Sequence, residues 1–89
     1  MASISEIQGY IRAANKNVVE AMLLASEAVE KAEIAKQLYT RITQEDNTSN
    51  LLMDCQVGIS AMIAGCNQVI QNAGVVTEKG DRFSAILSS

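Results

Sequence analysis

Gln44-Glu45-Asp46-Asn47-Thr48-Ser49-Asn50 ("QEDNTSN") is the one obvious break in a chain of 89 residues that contains no proline. Its reading decides the fold. It either separates two small units or turns one long helix back on itself, and the residues on each side choose between these. Before it, Ile4, Ile7, Ile11, Ala14, Val18, Ala21, Ala25, Ala28, Ala32, Ala35, Tyr39 and Ile42 follow one another at alternating steps of three and four. After it, Leu52, Cys55, Ile59, Met62, Cys66, Val69, Ala73, Val76, Gly80, Phe83 and Leu87 do the same. Each row is a heptad seam of positions a and d, counting Ile4 and Leu52 as a, and such a seam marks a long helix that packs along one stripe.

Ser3 and Glu6 form an S-x-x-E capping box that starts the first helix. Asn47, Thr48, Ser49 and Asn50 can each cap the second, and Asp54 in its first turn suits the helix dipole. The expectation is one helical-hairpin domain over residues 1–89, with a helix over 4–44, a turn over 45–50 and a helix over 51–87. Two helices of equal length, roughly 60 Å each, joined by a short polar turn pair antiparallel. The fold class is therefore all-α, an antiparallel two-helix hairpin with heptad packing. Half of the first seam is alanine, and Gly58 and Gly65 flank the second at position g, which predicts close apposition of the two backbones. Gly74 and Gly80 predict a kink or fraying after Gly74.

Composition agrees with helices packed through small aliphatic side chains: 48% of the residues are hydrophobic but only 3% aromatic. A net charge of −3 and the lack of a basic run give no electrostatic match to nucleic acid. The start MASISEIQ has neither the basic region nor the apolar core of a signal peptide. A cytoplasmic location is expected, with export lacking a cleaved signal as the alternative. The chain has no histidine, no nucleophile beside a base and no glycine-rich phosphate cradle, so neither enzymatic activity, metal binding nor a cofactor is expected. Cys55 and Cys66 are eleven residues apart, roughly 16 Å along a helix, too far to bond to each other. They are read as small apolar residues, and disulfides between subunits are the other reading.

Charge separates the two helices. Glu6, Arg12, Lys16, Glu20, Glu27, Glu30, Glu33 and Arg41 fall at outward b, c or f positions of the first. The second has no charge from Cys55 through Thr77, twenty-three residues. A membrane span fits that length, but Gln56, Asn67, Gln68, Gln71 and Asn72 are costly in lipid. Burial against another polypeptide accounts for both the missing charge and the amides, which can hydrogen-bond across a protein contact. The hairpin then assembles into a larger helical bundle with another helical protein or with itself. The residues expected at that contact are Leu23, Leu24 and Ile34 on the first helix and Val57, Ile63, Ile70 and Ile86 on the second.

The S-x-x-E start, the stretch IRAANKNVVEAMLLASEAVEKAE from Ile11 to Glu33 and the DNTSN turn give the chain an architecture that resembles the WXG-like small helical hairpins of type VII secretion. It looks more like the short helical proteins encoded beside the large toxins of that pathway. The W-x-G turn is missing, and the export motif Y-x-x-x-[DE] fails at Tyr10, which precedes Ala14 by four, and at Tyr39, which precedes Thr43. The resemblance therefore implies an adaptor or chaperone that docks on a toxin's N-terminal helices. A self-assembling subunit of a secretion needle or filament is the alternative, similar in size and shape, and a regulatory four-helix homodimer is a third.

Overall fold

The amide of Glu6 donates to the Ser3 hydroxyl at 3.1 Å, so the first half of the capping box is formed and the first helix starts at its expected residue. The structure, a computed structural model, describes residues 2–45 and 50–89. Helix α1 runs Ile4–Glu45 and helix α2 runs Asn50–Ser88, each one residue past the expected turn-side boundary. Most of the expected turn, residues 46–49, lies outside the described residues, as do the candidate caps Asn47, Thr48 and Ser49. Asn50 is the first residue of α2 and so is not its cap. Helix α2 continues through Gly74 and Gly80 to Ser88, and no glycine has a positive φ, so the fraying expected after Gly74 does not occur.

The two helices are antiparallel and form an all-α hairpin 63 Å long, 19 Å wide and 14 Å thick between Cα extremes. Its pairing is fixed near both ends. Near the chain termini, Gln8 Nε2 donates to the Ser84 carbonyl at 3.0 Å and Asn15 Nδ2 donates to Asp81 Oδ1 at 2.9 Å. Near the turn, Gln56 Nε2 donates to Thr43 Oγ1 at 3.3 Å. Between these polar ends lies a thin apolar centre, and the residues buried there are Ala25, Ala32, Ile59 and Ala73. Ala25 and Ala73 fall at one level of the pair, which is where the backbones can come close.

The seam is not the expected one. All the buried residues are a positions, and most of the partly buried residues beside them, Gln8, Asn15, Met22, Val29 and Thr43 of α1 and Gln56, Ile63, Ile70, Thr77 and Ser84 of α2, are e positions; of the d positions only Ile7, Ala35 and Cys55, toward the ends of the pair, are partly buried. The d positions Ala14, Ala21, Ala28, Ile42, Met62, Val69, Val76 and Phe83 are exposed. Each helix is thus turned about its axis by about 50° from the a/d orientation. A hairpin covers only one narrow stripe of each helix, and the e rows bring Met22, Val29, Ile63 and Ile70 to mid-seam, where the d row of α1 offers only alanine. The glycines confirm the rotation. A methyl group built on Gly58 or Gly65 meets nothing within 4 Å, so neither mediates close apposition of α1 and α2. The close approach is at Gly80, where such a methyl would lie 3.1 Å from Asn15 Oδ1 and 3.5 Å from Ile11 Cγ2.

Candidate protein–protein interface

Rotation of both helices toward a/e decides what the hairpin presents to its surroundings. In an antiparallel pair, like heptad positions of the two helices lie on the same side. Shared grooves bear this out: Thr40, Met53, Gln56 and Ser60 line one, and Arg12, Asn15, Thr77 and Asp81 line another, all at b or e. The d and g rows of both helices therefore share the opposite face, two helices wide and as long as the molecule.

That face is apolar. From α1 it carries Tyr10, Leu24, Leu38 and Ile42, set among Ala14, Ala21 and Ala28. From α2 it carries Met62, Val69, Val76, Phe83 and Ile86, with Gly58 and Gly65 beside them. Leu24 is 66% exposed, Met62 61% and Ile86 67%. Among the described residues its only charges are Lys31, Lys79 and, at the turn end, Glu45; the other charged side chains sit at b, c, e or f. A solvated helix face is normally studded with charge, and this face carries little. Large apolar side chains elsewhere, such as Val19 with Leu23 and Met53 with Val57, are scattered in small groups over the b, c and f rows among polar neighbours.

The residues expected at a partner contact divide three ways. Leu24 and Ile86 lie on the d/g face. Leu23, Ile34 and Val57 are exposed but sit at f or c, away from it. Ile63 and Ile70 are partly buried in the seam, because the hairpin closes on its e rows; they are packing residues of the pair itself and not outward ones. Met62, Val69, Val76 and Phe83 were assigned to the seam by their spacing and are instead the ridge of the exposed face. The signal that could have found them was the alanine content of the d row in α1: alanines give a hairpin little area to bury.

Both cysteines are free and partly buried. The neighbouring Cys55 side chain raises the pKa of the Tyr39 phenol above its ordinary 10.0, and partial desolvation adds to this. No group of three or more His, Cys, Asp or Glu among the described residues could hold a metal ion, and no helix among them is long and apolar enough to cross a membrane. Comparison with known protein families, characterised proteins and solved structures finds no match, so the d/g face is what this chain offers to a functional reading.

Proposed function

We propose that the chain is a protein–protein interaction module of the adaptor or chaperone type, half of a helical bundle whose d/g face is covered by helices of another polypeptide. One observation carries this reading. The sequence is patterned on a and d, yet the hairpin packs mainly on a and e, leaving most of the apolar d row of each helix outside. In a bundle of four helices both patterns are satisfied together. Positions a and d point to the centre, e flanks the helix of the same hairpin and g flanks the helix of the next. The helices that fill that place belong to a second copy or to another helical protein, of which the N-terminal helices of a toxin-like protein are the kind that the resemblance implies.

The filament reading is less well supported. An open assembly needs two different complementary surfaces on each subunit, and most of the exposed large apolar side chains among the described residues sit on one face.

The test is a photo-crosslinking amino acid placed at Val76, on the face, or at Asn67, on the opposite side, in the full chain made in its own cells. Adducts of discrete mass from Val76 and none from Asn67 are expected. No adduct from Val76, or the same adducts from both positions, overturns the reading.

A further inference from the structure

Resting on the reading that the d/g face is covered, we infer that it is built to receive a second copy of this chain, with the two-fold axis parallel to the long axis of the hairpin. The surface area comes first. A compact monomer of 9.5 kDa exposes about 5,000 Å². This chain exposes 6649 Å². The excess is over 1,000 Å², and a standard stable interface takes about 800 Å² from each partner. The d/g face alone, as long and wide as the molecule, is large enough to supply it.

Relief comes second. An isologous contact requires a surface that complements itself. On this face the middle of the α1 d row is low, Ala14, Ala21, Ala28 and the partly buried Ala35 between Ile7 and Ile42 at its ends, while the d row of α2 is high from Met62 through Val69 and Val76 to Phe83. The pairing of Asn15 with Asp81 and of Thr43 with Gln56 sets the levels of the two rows. By those levels Ala14 stands beside Phe83, Ala21 beside Val76, Ala28 beside Val69 and Ala35 beside Met62, to within about one residue. A two-fold axis along the hairpin preserves level and lays α1 on α2 of the second copy. Each alanine then receives the large side chain of its own level, and the ridge of each copy fills the valley of the other.

In the g row Leu38 meets Gly58 of the second copy, Leu24 meets Asn72, Lys31 lies over Gly65 and Lys79 over Asn17, so neither cation faces a cation, and Tyr10 meets Ile86 in an apolar contact at the terminal end. The vacant space around Gly58 and Gly65 in the hairpin is the space these long side chains occupy. The end-over-end arrangement lays α1 on α1 and α2 on α2. It sets alanine against alanine and Phe83 against Met62, a void on one side and crowding on the other.

The experiment uses the full chain with Cys55→Ser and Cys66→Ser, into which single cysteines are placed as Ala21→Cys, Val76→Cys or Ala28→Cys. Sedimentation equilibrium is expected to give a dimer. Mixed Ala21→Cys and Val76→Cys chains form an intermolecular disulfide on oxidation, and mixed Ala21→Cys and Ala28→Cys chains do not. Without added cysteines, Val76→Glu weakens the dimer at least 100-fold with unchanged helicity, and Ser60→Glu at a b position leaves it intact. A helical monomer at high concentration overturns the second copy as the occupant, while adducts to another protein from Val76 in cells leave the covered face standing. A dimer that links 21 to 28 overturns the arrangement. A dimer indifferent to Val76→Glu overturns both this inference and the reading it rests on.

Discussion

Ile59 is the largest of the buried residues, 9% exposed at a core a position, and the centre of the hairpin has few other large side chains to offer. Ile59→Ala removes methylenes from a site that rigid helices cannot close over, and it should lower stability by about 2–4 kcal/mol in urea denaturation. The glycines give an opposite pair of outcomes. Gly58→Ala adds a methyl into open space and gains helix propensity, about 1 kcal/mol in favour of the hairpin when measured in dilute solution. Gly80→Ala puts its methyl against Asn15 Oδ1 and pushes that amide off Asp81, so it should fall short of Gly58→Ala by about 1 kcal/mol. Equal gains from both would show that Asn15 yields freely. Tyr39 supplies a pH test in a Tyr10→Phe background. Its folded-state pKa is raised, so the hairpin favours the neutral phenol. That contribution is whole below pH 10.0 and is lost as pH rises through the folded value. Absorbance titration should place the phenol above 10.0, and Cys55→Ala should bring it back toward that value.

Each helix carries apolar residues on three rows, a, d and e, and a single neighbouring helix can cover only two of them. The a row is shared by every packing arrangement, which is why it was legible from spacing alone and why all the buried residues belong to it. The choice between d and e was not legible. It depends on what stands opposite, and the alanines of α1 make the d side a poor seam for a pair while leaving it a good one for a bundle. A substitution that would have been placed on the outer surface by spacing moves accordingly. Ile63→Glu puts a carboxylate into the partly buried seam and should lower the helicity of the hairpin itself, seen by circular dichroism, whereas Val69→Glu on the exposed ridge should leave helicity intact and alter only association. Intact helicity in Ile63→Glu would place that residue outside the seam.

A hairpin 63 Å long and 14 Å thick has little interior, and polar contacts such as Gln8 with Ser84 and Thr43 with Gln56 hold its ends. If a second copy covers the d/g face, folding and assembly are coupled, and the thermal midpoint should rise with protein concentration over a hundredfold range. A midpoint independent of concentration, with the same cooperativity, would mean that the pair of helices is stable alone. What the sequence by itself determined is the helical class, the start at Ser3, the place of the turn and the antiparallel hairpin, because capping, heptad spacing and turn composition are local or periodic properties of one chain. What only the tertiary structure decided is which way each helix faces. The rotation toward a/e, the inward turn of Ile63 and Ile70, the close approach at Gly80 and the exposure of Val69, Val76 and Phe83 depend on the sizes of side chains brought together from residues dozens of positions apart, and spacing within one helix carries no information about them.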